Sequence, residues 1–423
     1  MGNADPARGG PHSPHLPEAP DVPDPRDPLH PPGSPDLPGP PDLPALPDLP
    51  GVRVPHHVLR DARRATALEC EPSALATTLE QVWRLPKVEL HLHLEGTLRP
   101  ETVCELAARY EPGSPLCRPD WWSSYWTFRD LSGFVLEFGR VLRTCIRSAD
   151  DYYRVAAECF QDLAAQHVVY AEVSVGPRTP GRPYYVSLQD TVAAIDQARR
   201  EAEARTSLRA GIIIGIARDR VAEHELGAAE LAGQFVREAI HMRDRGAAIA
   251  GIDLHGDEQA VPQVEPFVPA FRAAAEAGLG LRAHAGEAAG PRSVWDALRH
   301  LAVRRIAHGV RSGEDPALVA YLARAGVALD MCPTSNVLTG AARSLAAHPI
   351  RALHDAGIPV TVSSDDPLVF HTTITAELAI LRHFLRFSLD DLGRLTAQAA
   401  ACAFLPEAQR AALTRTVRSA WSV

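Results

Sequence analysis

The sequence predicts a closed (β/α)8 barrel, on three observations. Eight short runs rich in β-branched residues follow one another along the chain. Amphipathic helical patterns lie between them, and the metal-capable polar residues fall at the C-terminal ends of the runs. The runs are KVELHLHL (87–94), VVYAEVSV (168–175), RAGIIIGIA (209–217), IAGIDL (249–254), GLRAHA (280–285), RRIAHG (304–309), VALDMC (327–332) and IPVTVSS (358–364). Seven of them contain a near-continuous apolar stretch, the pattern of strands covered on both faces. Helical patterns are read at 148–166, where Ser148 and Asp151 suit a capping arrangement, and at 187–204, 265–278 and 316–326, the last closing on Gly326. A doubly wound open sheet would want a glycine-rich loop after its first strand, and HLEGTLRP does not supply one.

The first two runs are separated by far more chain than a βα connection needs, so a helical insertion is expected after strand 1. Its aromatics Trp121, Trp122, Trp126, Phe128, Phe134 and Phe138 either cover the barrel mouth or pack the insertion's own helices. Residues 1–52 hold many of the chain's 37 prolines, with Pro-Asp and Leu-Pro recurring. Proline removes donors and the few leucines cannot offset chain entropy, so this segment reads as a disordered, partly polyproline-II tail. It fits a solvated leader better than a ligand for a proline-recognising partner. The barrel domain is expected over 53–423.

Composition excludes several classes. The formal net charge is −9 with no long Lys/Arg block, which argues against a nucleic-acid partner. No apolar run is long enough to span a bilayer, and the N-terminus shows neither a basic nor an apolar signal region. The seven cysteines are scattered and never form a CxxC pair, as expected of reduced thiols in a cytoplasmic protein. The sequence specifies no oligomeric state.

His91 and His93 sit two apart near the end of the first run, which places both on one face. His284 closes the fifth run, His308 the sixth, and Asp365 with Asp366 the eighth. Zinc takes neutral imidazole nitrogens and carboxylate oxygens, and a catalytic site keeps a position for water. His91, His93, His284 and Asp365 supply that set for one ion. Glu287 can then deliver a proton to a substrate, His308 can take the water's proton or steer it, and Asp366 can hold a polar ring atom.

KVELHLHLEGTLRPET (87–102), HAGE (284–287), RIAHGV (305–310), CPTSN (332–336) and SSDDP (363–367) resemble, in order, the signature segments of the adenosine deaminase family. GIDLHGDE (251–258) is similar to the family's fourth-strand segment. Segments in register at successive strand ends make a chance match improbable. The resemblance implies one zinc per chain, bound by His91, His93, His284 and Asp365. It implies that Glu287 protonates the purine ring, that His308 orients and deprotonates the attacking water, and that Asp366 and the Gly256 backbone meet ring nitrogens. The partners implied are a small purine and water.

Members acting on adenosine commonly carry Asp two after the HxH pair; here it is Glu95, a form similar to adenine deaminases and to deaminases of 5′-modified adenosines. In contrast, DDPLVFHTT (365–373) and CPTSNVLTGAARSLAAHP (332–349) resemble the nucleoside-acting bacterial members. The balance implies a 6-aminopurine nucleoside, adenosine or a 5′-modified analogue, deaminated to the 6-oxo product with release of ammonia. The alternatives are adenine itself, a 6-aminodeoxyfutalosine-type substrate, another mononuclear amidohydrolase reaction, or a non-catalytic nucleoside-binding member. A two-metal amidohydrolase is disfavoured, because the fourth run ends in Asp253-Leu254-His255 with no bridging lysine.

Overall fold

The computed structural model describes residues 49–50, 52, 72–118, 121, 126, 128–177, 180–181 and 184–423. Almost all of the expected tail, and Trp122, lie outside them. Leu49 and Val52, which the sequence places in the tail, pack against the core, and Trp83 Nε1 donates to the Pro50 carbonyl (3.3 Å).

Eight parallel strands lie in sequential order: β1 (Lys87–His93), β2 (Val168–Val175), β3 (Arg209–Ala217), β4 (Ile249–His255), β5 (Gly280–Ala285), β6 (Arg305–His308), β7 (Ala328–Met331) and β8 (Val360–Val362). The expected (β/α)8 barrel is the fold observed. Closure between β8 and β1 is made just past the end of β8. Asp365 N donates to the His91 carbonyl (3.2 Å), His93 N donates to the Asp365 carbonyl (3.0 Å), and His91 N donates to Ser363 Oγ (3.0 Å). The strands read from sequence begin and end within two residues of those observed. The last three are shorter than expected, so Asp365 lies in the turn beyond β8 rather than in the strand.

Local chemistry explains the helices. Ser148 and Asp151 form the expected capping box at the start of Ala149–Ala165, each side chain receiving the other's backbone N–H. The 316–326 helix ends on Gly326 in the left-handed region. Over 265–278 the chain forms a short 3-10 turn before the helix Val268–Glu276. Pro269 lacks a donor and suits the first turn of that helix.

The insertion between β1 and β2 carries the helices Pro100–Tyr110, Leu131–Cys145 and Ala149–Ala165. Both readings of its aromatics hold, for different residues. Trp121, Trp126 and Phe128 pack edge-on among themselves and their neighbours, whereas Phe134 and Phe138, stacked at 5.4 Å, also line the cavity at the barrel mouth.

The barrel lumen is charged rather than oily. Arg305 bonds Glu172 (2.5 Å) and Asp330 (2.8 Å), and Arg282 bonds Asp253 (3.0 Å), with all five side chains buried. Both guanidinium groups also donate to the Leu90 carbonyl of β1. Beneath this layer, Phe404 lies over the Arg305 guanidinium at 4.2 Å, and a Cβ at Gly280 would fall 2.1 Å from its ring. Gly280→Ala should therefore displace Phe404 from the foot of the barrel and lower stability by about 1–3 kcal/mol, the usual cost of overpacking. Chemical denaturation measures it, and an unchanged midpoint would show that the ring has room to move.

Candidate active site

The C-terminal ends of β1, β5, β6 and β8 bring the expected residues together. His93, Glu95, Gly256, His284, Glu287, His308, Asp365 and Asp366 line one cavity, and the fully buried His91 completes the cluster. The Nε2 atoms of His91 and His284 are 3.1 Å apart, and that of His93 is 3.3 Å from each. Asp365 Oδ1 lies 3.2 Å from His91 Nε2 and 3.4 Å from His93 Nε2. Two ligands at about 2.0–2.2 Å from a shared ion, at a roughly tetrahedral angle, have this separation.

The outward nitrogens fix the tautomers. His91 Nδ1 faces the Asp330 carbonyl (3.3 Å) and His284 Nδ1 faces the Asp253 carboxylate (3.0 Å), so both carry the proton on Nδ1 and turn an Nε2 lone pair inward. Burial holds His93 and His284 well below the ordinary histidine range, which keeps them in the neutral form a cation requires. Burial opposes ionisation of Asp365, but its bonded neighbour His91, with His308 and His93, outweighs that and holds the carboxyl well below its ordinary value. Inward lone pairs on neutral rings beside a carboxylate are the donor set of a divalent cation, so these residues fit one. His308 is close enough to be counted with them: its ligating atom and those of His91, His284 and Asp365 lie within 4.8 Å of one another.

Around the cluster stand the groups that would handle protons. Glu287 is buried, receives Thr339 Oγ1 (3.2 Å) and lies 3.4 Å from His308 Nε2. Burial, reinforced by the charges of Asp365 and Glu258, raises its carboxyl well above the usual range, the state of a proton donor. Glu258 in turn fixes this loop by accepting from the backbone N–H of Gly286 (3.1 Å), Glu287 (2.8 Å) and Ala289 (2.6 Å). Burial with the neighbouring Asp365, Glu95 and Glu287 also raises Asp366, whose Oδ1 is buried without a hydrogen-bond partner among the described residues. His308 is lowered to about 3, first by burial.

Two substrate-side residues reach the cavity by routes the strand pattern does not describe. β1 ends at His93, and Glu95 lies on the 3-10 turn Leu94–Thr97, so strand alternation does not extend to it. The turn nonetheless brings it to the cavity wall, where its Oε1 accepts from Gly176 N (3.3 Å). Gly256 adopts φ +94°, and a Cβ there would fall 2.1 Å from Asp219 Oδ1, so only glycine lets the backbone lie against the cavity.

The model of the family described as adenosine deaminase matches residues 86–420. The chain belongs to the adenosine deaminase family. It is 36% identical to an aminodeoxyfutalosine deaminase from Streptomyces avermitilis, over 80% of this chain and 92% of that one. It is 35% identical to an adenine deaminase from Sinorhizobium fredii, over 77% and 96%. Among solved structures it resembles the adenine deaminase from Arthrobacter aurescens, with a TM-score of 0.72, 30% identity and coverage of 80% and 100%. An amidohydrolase from Burkholderia ambifaria with bound Zn matches with a TM-score of 0.72, 27% identity and coverage of 88% and 96%. This member of the family is thus a metal-dependent hydrolytic deaminase of 6-aminopurines. No helix among the described residues is long and apolar enough to cross a membrane.

Several supporting residues are not singled out by the sequence. Asp253 and Arg282, with the backbone carbonyl of Asp330, set His284 and His91 from inside the barrel, and Ser335 Oγ donates to Asp365 Oδ2 (2.7 Å). The first three do leave a signal, since each is a charge set within an apolar strand run. If Asp253 sets the tautomer of His284, Asp253→Asn should weaken metal affinity by about 10–100-fold. Competition against a chromogenic chelator reads this directly, and an unchanged affinity would remove Asp253 from the ligand shell.

Proposed function

We propose that this chain deaminates a 6-aminopurine nucleoside, adenosine or a 5′-modified adenosine, at a single zinc ion held by His91, His93, His284 and Asp365. The observation that carries this reading is the position of Glu95 and not its residue type, which adenine deaminases share: it is a buried carboxylate anchored by Gly176 N–H in the same cavity as Glu287 and Asp366. A carboxylate fixed there suits a sugar hydroxyl, a group that adenine lacks. Support is shared between substrates, because the relatives named above include an aminodeoxyfutalosine deaminase and adenine deaminases at similar identity.

Zinc at this site would supply Lewis acidity, which brings a water molecule's pKa toward neutrality. The protein's own residues do the rest. Glu287, kept protonated by burial, gives its proton to the purine nitrogen beside the attacked carbon, removing the aromatic resistance to attack. Asp366, also raised, can donate from its carboxyl, whose Oδ1 has no hydrogen-bond partner among the described residues, to a nitrogen of the five-membered ring. The backbone of Gly256 meets the opposite edge, and His308 orients the water; the Glu287 carboxylate left by the transfer takes up the water's two protons in turn and hands the first to the amino group, which leaves as ammonia.

Glu287→Gln keeps the shape but has no proton to give, so turnover should fall by at least about a hundredfold. Its zinc content, measured by elemental analysis, should stay at that of the wild type. An active variant, or one that loses its metal, would contradict the assignment.

The substrate reading is tested by ammonia release from adenine, adenosine, deoxyadenosine and 5′-modified adenosines. Glu95→Ala should lower kcat/KM for the best nucleoside by about 1.5–3 kcal/mol, the range of a hydrogen bond to a charged group. The same substitution should barely change the rate on adenine. Equal losses on both would mean that Glu95 holds the loop and not the sugar.

A further inference from the structure

His308 stands within reach of both the ligand cluster and Glu287, and which of its nitrogens carries the proton decides what it can do. Three hydrogen bonds behind it determine the answer. The N–H of Ile350, at the first residue of the helix Ile350–Asp355, has no partner within its own helix and donates to His348 Nδ1 (3.2 Å). His348 is buried, and an Nδ1 that accepts leaves the ring's proton on Nε2. That Nε2–H faces Asn336 Oδ1 (3.1 Å), which fixes the orientation of the Asn336 amide. The Asn336 NH2 group is thereby aimed at His308 Nδ1 (3.0 Å), which must accept.

We infer that His308 is held as the Nε2–H tautomer by the series Ile350 N–H, His348 and Asn336, and acts as a hydrogen-bond donor in the site, neither a metal ligand nor the resting base. Its Nδ1 lone pair is engaged by Asn336 and its Nε2 carries a proton, so neither nitrogen is available to a cation. This separates His308 from His91 and His284, whose outward Nδ1 atoms face acceptors and whose Nε2 lone pairs point inward. The inference deepens the proposed deamination and rests on it for the identity of the group His308 meets, the attacking water. It replaces the expected deprotonation of that water by His308 with a donated hydrogen bond that orients it. Asn336 and His348 are positioning residues: each acts through the ring ahead of it.

The test is the long-range proton–nitrogen NMR spectrum of the zinc-loaded protein labelled with nitrogen-15 histidine, with His308 identified by the signals lost in His308→Gln. The expected pattern is a neutral ring protonated on Nε2. Asn336→Asp replaces the donor with an acceptor, so the proton should move to Nδ1. At the same time kcat should fall at least about tenfold, with KM within about threefold and zinc content unchanged. His348→Gln still offers an amide N–H to Asn336 and should keep the wild-type tautomer. A wild-type ring protonated on Nδ1, or on both nitrogens, overturns the inference even if no variant folds. An Asn336→Asp protein with an unmoved proton overturns it too. The spectrum does not depend on turnover, so a chain that releases no ammonia from any 6-aminopurine yet shows the Nε2–H pattern refutes the proposed reaction and leaves the tautomer standing.

Discussion

Three imidazole nitrogens 3.1–3.3 Å from one another, with a carboxylate 3.2–3.4 Å from two of them, form an arrangement that no protein adopts cheaply. Without a cation between them the electron pairs repel, and each ring would relax by rotating or by taking a proton. What prevents this is the set of acceptors behind the rings. The Asp330 carbonyl holds His91, and the Asp253 carboxylate, shared with Arg282, holds His284. The charged barrel lumen therefore has a purpose beyond stability. Ion pairs this deeply buried contribute little net stability compared with a well-packed apolar core. They do fix the position and charge of Asp253, and through it the direction of the His284 lone pair, while His91 is held by the backbone carbonyl of Asp330.

The same logic divides the histidines of the site into two kinds. His91 and His284 meet acceptors on their outer side and present lone pairs; His308 meets the Asn336 donor on its outer side and presents a proton. Residues of one type, a few ångströms apart in one cavity, thus receive opposite roles from a single hydrogen bond each. The carboxylates divide in a parallel way. Asp365, beside the imidazoles, is held ionised, while Glu287 and Asp366, beside Asp365, are pushed toward the protonated state. One negative charge at Asp365 both completes the proposed ligand set and reinforces the burial that keeps its neighbours as acids.

The sequence shows the inner part of this arrangement and little of its support. The strands are legible because parallel strands buried on both faces leave unbroken β-branched runs. The ligands are legible because imidazoles and a carboxylate gathered at four strand ends suit a bound cation far better than an apolar core. Glu95 and Gly256 are legible only through family resemblance, since a 3-10 turn and a positive-φ glycine leave no periodic trace. The series behind His308 is hidden for a different reason. Asn336 and His348 lie in a helix start and a loop, twelve residues apart, and only the packing of the chain after β7 brings them into line. Asp253, Arg282 and Asp330 are visible as charges in apolar runs, but their partners are set by the barrel's register, which spacing along one strand cannot supply.

Barrel closure and site formation are one event in this chain. Asp365 has φ +65° and His308 φ +62°, a region in which a side chain costs about 1 kcal/mol or more at each position. At Asp365 the strained backbone is where β1 and the end of β8 join: its N–H donates to His91 and its carbonyl receives His93. The two histidines bonded on either side of this junction are themselves among the proposed ligands, so the hydrogen bonds that close the cylinder also set three of the four donor groups in register. At His308 the turn continues through Gly309, whose N–H returns to the Ala285 carbonyl at the end of β5, one residue beyond His284. A chain whose barrel had not closed would leave Asp365 free to relax into an ordinary conformation, and its carboxylate would leave the cluster. The cation that the four donors fit would accordingly favour the closed barrel, because it binds only the form in which the strain at Asp365 is already imposed.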